Sequence, residues 1–272
     1  MQVYCILSDE RVYNSKSPVI FTTVLKWLGI DGVYVPFKVA PDRIGQAMQS
    51  LRVLNIAGAN VTVPYKETVI PYLDIMSEGA NIIGAVNTVV RNGDELKGYN
   101  TNAIGIMDAL SNADFDTDGK SALVCGTGGA ARAAVFILNW LRTDKIIVAG
   151  RDLTKAKRIV NDFSGEVRLL STLPEEPLPV DIVINATSVS SPIESKELAE
   201  VATQLKLPEC QLVFDLNYDR SPNFWQAMAA ERDIPFMDGQ SALAYQARRT
   251  LALWTRMQAP PEEFLKALNQ KG

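Results

Sequence analysis

Short apolar runs alternate with amphipathic stretches along the whole chain. Val3 to Leu7 predicts a first strand. Ser17-Pro18 opens a helix in which Ser17 caps and Pro18 takes the first helical position, where no N–H is needed. Val19, Phe21, Leu25 and Leu28 give that helix an apolar side, and Gly29 ends it. Strands at Val33 to Val39 and Gly58 to Val63 flank a helix over Ile44 to Leu51. Thr88 to Arg91 and Glu95 to Tyr99 form a hairpin across Asn92-Gly93-Asp94. Ile104 to Ser111 reads as a further helix.

Polar Asn112 to Lys120 then marks the entry to a second domain. Beyond it lie a strand (Ala122 to Cys125), a glycine loop (Gly126 to Gly129) and a helix (Ala130 to Leu141). A strand at Lys145 to Ala149, a helix at Leu153 to Phe163, and strands at Asp181 to Asn185 and Leu212 to Leu216 follow. This alternation predicts a parallel sheet with helices on both faces and right-handed crossovers. Helices from about Ser241 onward return to the first domain. The expected division is therefore 1–111 with 240–272, and 112–239.

The 272 residues are 47% hydrophobic and 21% charged, an ordinary globular composition. A net charge of -4 without any Lys or Arg block argues against a nucleic-acid partner. A small anion needs only a local positive site. No apolar run reaches the ~18 residues of a membrane span, and no basic-then-apolar leader opens the chain. The cysteines, Cys5, Cys125 and Cys210, show no CxxC spacing and fit a reduced, cytoplasmic chain in which they are small buried hydrophobes. Histidine is absent. That removes the usual general base and the commonest metal ligand, so no metal site is expected and Ser-His-Asp chemistry is excluded. Proton transfer falls to Lys, Asp, Glu, Tyr, Cys or water.

The run Gly126-Thr127-Gly128-Gly129-Ala130 follows a strand and opens a helix. The glycines permit a tight turn and a close backbone approach to a pyrophosphate, and the helix start offers N–H groups to its charge. The context predicts a bound dinucleotide. After the next strand stands Arg151, with Lys155 one turn on, where an acid would have bound a free ribose 2′-hydroxyl. These bases favour NADP. Asp152 could repel the 2′-phosphate and leaves NAD possible.

The first half carries polar clusters at loop positions: Asn14-Ser15-Lys16-Ser17-Pro18, Asn60-Val61-Thr62-Val63-Pro64-Tyr65-Lys66, Gly84-Ala85-Val86-Asn87-Thr88 and Asn100-Thr101-Asn102. With Gly126 to Arg132, Asp181 to Ser188, Phe214 to Tyr218 and Gly239 to Ala247, they resemble the shikimate dehydrogenase family, which includes quinate and aminoshikimate relatives. The likeness runs through essentially the whole chain in the family's order. It implies an N-terminal α/β substrate domain and a Rossmann-like, doubly wound nucleotide domain. It also implies NADP-linked interconversion of 3-dehydroshikimate and shikimate, precursors of aromatic amino acids, on a small carboxylated polyol.

On that resemblance Ser15 and Ser17 hold the carboxylate, and Thr62, Asn87 and Gln246 bind ring hydroxyls. Tyr218 follows a strand end, where such ligands lie. Thr187, Leu216 and Gly239 join the cofactor residues. Lys66 is the acid/base, its pKa lowered by partial burial. Asn102 stands where the family has aspartate. An amide keeps an acceptor oxygen but carries no proton and no charge, so Lys66 should deprotonate more easily and turnover should be slow. Other departures are Asn14 for His, Gly150 for Asn, Asp152 for Thr, Ser190-Ser191 for Gly-Met, and a small Ala242. The alternatives are a dehydrogenase of quinate or another polyhydroxy cyclic acid, and a catalytically weak binding or regulatory homologue. The protein is expected as a monomer or homodimer.

Overall fold

The computed structural model, which describes residues 1–269, divides into a unit of Met1–Ala109 with the chain from Ser241 onward, and a unit of Leu110–Gln240. In the first unit β1 (Gln2–Ser8), β2 (Gly32–Lys38), β3 (Gly58–Val61), β4 (Ile75–Met76), β5 (Thr88–Asn92) and β6 (Glu95–Tyr99) form one sheet in the order β2-β1-β3-β5-β6-β4. β1 runs parallel to β2 and β3, whereas β5 is antiparallel to β3 and β6. Pairing of Asn60 with Thr88, and of Thr88 with Tyr99, brings the end of β3, the start of β5 and the end of β6 to one sheet edge.

Helices α1 (Ser17–Trp27), α2 (Ile44–Val53), α3 (Glu78–Ile83) and α4 (Asn102–Asn112) connect these strands. Two starts differ from expectation. Ser17 is the first residue of α1, not its cap; Lys16 holds the cap position, and Ser15 Oγ accepts the Ser17 N–H at 3.2 Å. Pro18 does not oppose this, because every first-turn N–H lacks a helical partner. Helix α4 begins at Asn102, two residues early, because Asn100 Oδ1 accepts the N–H groups of Asn102 (3.1 Å) and Ala103 (3.3 Å). Strand β3 stops at Val61, short of Val63, just before Pro64, which has no N–H to give a ladder.

The second unit holds β7 (Ser121–Cys125), β8 (Lys145–Gly150), β9 (Glu166–Leu169), β10 (Ile182–Asn185), β11 (Leu212–Asp215) and β12 (Phe236–Met237). All pair in parallel in the order β12-β11-β10-β7-β8-β9. The order reverses between β7 and β10, the switch point at which open parallel sheets bind ligands. Helices α5 (Gly129–Trp140), α6 (Leu153–Phe163), α7 (Lys196–Gln204) and α8 (Phe224–Ala230) complete it. Leu123, Ile147, Val183, Val213, Trp225 and Met228 share its core, in line with strands buried on both faces.

Helices α9 (Gln240–Thr255) and α10 (Pro261–Asn269) follow, and most of α9 belongs to the first unit. Trp254 of α9 stacks on Tyr4 at 4.8 Å between ring centroids and lies 5.0 Å from Phe21, which stacks on Tyr34 at 4.7 Å. The indole Nε1 donates to Val89 O at 2.9 Å. Gly58 makes room for this ring: a Cβ there would collide with the indole. Gly58→Ala should therefore destabilise the protein by about 1–3 kcal/mol, read from the midpoint of urea unfolding. An unchanged midpoint would show that Trp254 does not depend on that space.

Candidate functional site

The first sheet's edge concentrates the polar clusters. Thr62 leaves β3 with its N–H donating to Leu7 O at 3.2 Å, and Ser8 Oγ donates to Val63 O at 2.6 Å. The turn that follows holds Lys66, whose carbonyl accepts the Val86 N–H at 2.7 Å and so ties it to the segment leading to Asn87. Asn87 is buried, and its whole amide is used within the unit. Nδ2 donates to Thr101 Oγ1 (2.9 Å) and Gln246 Oε1 (3.2 Å), while Oδ1 accepts the Thr101 N–H at 2.7 Å. Thr250 shares hydrogen bonds with Thr88 (2.9 Å) and Thr101 (3.1 Å). Thr101 and Thr250 had no assigned role in the sequence reading. The Asn100-Thr101-Asn102 cluster signalled the first; nothing local signals a threonine on the buried face of α9.

Lys66 is only 8% exposed. Its Nζ donates to Asn102 Oδ1 at 3.0 Å, on the first residue of α4. Burial lowers its pKa from the usual lysine value to about 8. The bond to a neutral amide adds no opposing charge. Such an amine exchanges a proton near neutral pH, the property a general acid/base needs. Ser15 and Ser17 form a local pair at the start of α1.

In the second unit the candidate residues follow the C-terminal ends of parallel strands. Gly126 leaves β7 at φ +125, and a Cβ on it would lie 2.8 Å from the Ala186 backbone. Only glycine suits both conditions. At Gly128, the cap position of α5, an added Cβ would meet nothing within 4 Å, and no side chain caps the helix. The first-turn N–H groups of Gly129 and Ala130 are thus available to an anion, and the open space before them fits a pyrophosphate. Thr127 rests on Gly150, since a Cβ at 150 would lie 2.5 Å from Thr127 Cγ2. The small residue there has this local cause.

Arg151 and Lys155 follow β8 and are exposed. Asp152 Oδ1 accepts the N–H groups of Thr154 (2.9 Å) and Lys155 (3.3 Å), so this carboxylate caps α6. Thr187 lies beyond β10, where its Oγ1 donates to Asn185 Oδ1 at 2.7 Å. Leu216 and Tyr218 follow β11. Gly239 follows β12, its N–H donating to Asn217 O at 2.9 Å, and the Leu216 carbonyl lies where a Cβ would be. Thus Lys66, Asn102, Asn87 and Gln246 lie in the first unit, and Tyr218 in the second. Among the described residues no group of His, Cys, Asp or Glu is placed to hold a metal ion, and no helix is long and apolar enough to cross a membrane.

A family model for the shikimate dehydrogenase substrate binding domain matches residues 7–89, and one for shikimate / quinate 5-dehydrogenase matches 109–222. A shikimate dehydrogenase (NADP(+)) of Desulforamulus reducens is 35% identical over 278 residues, spanning 98% of this chain and 94% of the relative. One from Caldanaerobacter subterraneus subsp. tengcongensis is 36% identical over 261 residues, spanning 92% and 90%. The solved shikimate 5-dehydrogenase of Thermus thermophilus, in complex with NADP(H) and shikimate, superimposes with a TM-score of 0.85 at 29% identity and 98% coverage of each chain. Glycine loop, buried lysine and sequence likeness point the same way: the chain belongs to the shikimate dehydrogenase family.

Proposed function

We propose that this protein is an NADP-dependent shikimate dehydrogenase in which Lys66 works beside an amide instead of a carboxylate. The observation that carries the reading is the buried Lys66 Nζ, 3.0 Å from Asn102 Oδ1, at the polar edge of the first sheet. Ser15 and Ser17 are assigned to the substrate carboxylate, and Thr62, Asn87, Gln246 and Tyr218 to its remaining polar groups. Gly126, Thr127, Gly128, Gly129 and Ala130 are assigned to the pyrophosphate, Arg151 and Lys155 to the 2′-phosphate. Thr187, Leu216 and Gly239 are assigned to the nicotinamide half. When bound, NADP supplies a hydride acceptor for shikimate oxidation and a hydride donor for the reverse. Lys66 takes the hydroxyl proton in oxidation and returns it to the carbonyl oxygen in reduction. Asn102 orients the amine but cannot carry the proton onward.

Absorbance of the reduced cofactor, followed for shikimate and quinate with NADP and NAD, tests the reading. Turnover should be fastest with shikimate and NADP. Measurable cofactor binding without turnover in any of the four pairs would overturn it in favour of a binding homologue.

Only the neutral amine accepts a proton, and burial sets its pKa at about 8. Shikimate oxidation should therefore climb about tenfold per pH unit below that value and level off above it. Reduction, which needs the charged form, should fall over the same window. A flat profile from about pH 6 to 9 in both directions would remove Lys66 from the proton step.

Asn102→Asp places a carboxylate at the position of the amide whose oxygen lies 3.0 Å from Nζ. The charged lysine gains a partner, so its pKa rises and the oxidation profile moves to higher pH. The carboxylate also restores proton relay, and shikimate oxidation at the plateau should rise within the ~10²–10⁴-fold range of positioned proton transfer. No gain in rate would sink the relay.

A further inference from the structure

Asp215, the last residue of β11, is fully buried. Its Oδ1 accepts from Asn185 Nδ2 (2.8 Å), the Asn217 N–H (3.0 Å) and Asn217 Nδ2 (3.0 Å). Its Oδ2 accepts from Asn223 Nδ2 at 2.8 Å. Every one of these partners is a neutral donor, so the site suits an acceptor-only carboxylate. A carboxylate buried among amides is costly unless its lone pairs are filled, as they are here.

Each amide has a second task that reaches a different loop. Asn185 Oδ1 accepts the Thr187 N–H at 3.1 Å, and its Nδ2 also donates to Val189 O at 3.0 Å. Asn217 Nδ2 donates to Thr187 O (3.0 Å) and Ser190 Oγ (2.9 Å), and Asn217 O accepts the Gly239 N–H at 2.9 Å. Asn223 Oδ1 caps α8 through the N–H groups of Trp225 (2.9 Å) and Gln226 (3.1 Å). The same loops are tied a second time. Glu194 Oε2 accepts the N–H groups of Ser190 (2.9 Å) and Ser191 (3.0 Å), and its Oε1 lies 3.1 Å from Arg220 Nε.

We propose that Asp215 is a positioning residue: its carboxylate locks the segments bearing Thr187, Tyr218 and Gly239 into one arrangement before any ligand binds. The proposal rests on the reading of those residues as cofactor and substrate contacts. Asp215 itself touches neither ligand; it acts through Asn185, Asn217 and Asn223. This distinguishes it from a residue that merely fills the core, because the geometry it fixes is that of loops outside the sheet.

The test compares the full-length protein with Asp215→Asn, Asp215→Asn with Asn223→Asp, and Asn217→Ala. Asp215→Asn turns the amide at 215 toward the donor of Asn223. Asn223→Asp meets that amide with an acceptor and still caps α8. Amide hydrogen exchange, measured without substrate or cofactor, should accelerate over 186–191 and 216–220 in Asp215→Asn and Asn217→Ala. It should stay unchanged in β7 and α5. The kcat/KM for NADP should fall by about 10²-fold, the cost of a ~1 Å displacement at a reacting site. The double variant should recover both loop protection and most of kcat/KM. Should Asp215→Asn fail to fold, Asn217→Ala carries the same exchange and kinetic readouts. Wild-type exchange in the loops of folded variants, or a double variant as impaired as the single one, would overturn the proposal. Because exchange needs no ligand, a wild-type protein without turnover would fail the functional reading while leaving the lock to be judged on protection alone.

Discussion

The first unit depends on a single buried amide. Asn87 holds three chain segments that are far apart in sequence: its N–H donates to Tyr99 O, its carbonyl accepts from Val61, and its side chain binds Thr101 and Gln246. A buried amide without these partners would carry the desolvation cost of each unpaired group, about 1–3 kcal/mol apiece. Because they are all made, the strand ends, the start of α4 and helix α9 share one frame. Lys66 is fixed to that frame through the Val86 N–H and through Asn102. The geometry of the proton-transfer pair is therefore set by a network that contains no charge of its own.

Local signals made part of this legible. The strand, glycine loop and helix at 121–140 are contiguous, and each advertises its own conformation. The hairpin of β5 and β6 carries its Asn-Gly turn. Helix α6 has the same bounds as expected, with Asp152 as a cap and Ala156 and Ile159 buried. Strands β4 and β12, two residues each, were not read, and neither was β9 at the sheet's other edge. Such short edge strands exist because a neighbour offers a ladder, and that neighbour lies elsewhere in the chain. Helices α3, α7 and α8 were also passed over, although Ser77, Ser195 and Asn223 cap them.

The candidate residues divide along the same line. Lys66 and Gly126 stand in motifs whose meaning is local. Asp215 lies in an equally visible run, Phe214 to Tyr218, yet its role arises only when β10, β11 and α8 bring Asn185, Asn217 and Asn223 to it. Departures from the family pattern likewise acquire causes in the fold. Gly150 leaves room for the Thr127 methyl. Asp152 directs one carboxylate oxygen to the start of α6, so part of its charge is spread over two N–H groups and opposes a 2′-phosphate less than a free carboxylate would. Ser190 and Ser191 sit in a turn whose N–H groups are held by Glu194.

The pairing of Lys66 with Asn102 has a directional consequence. With aspartate, desolvation and the opposite charge act against each other, and the lysine remains charged until high pH. With asparagine, only desolvation acts, and the free base becomes accessible at a pH of about 8. Removing the carboxylate thus makes the amine a more available base and a less available acid. Oxidation begins with the form that burial favours. Reduction begins with the form that burial opposes, and each cycle must draw a proton to Nζ from water because the amide cannot pass one on. The substitution therefore does not simply weaken a catalytic pair. It makes the balance between the two directions depend on how completely the protein buries one amine.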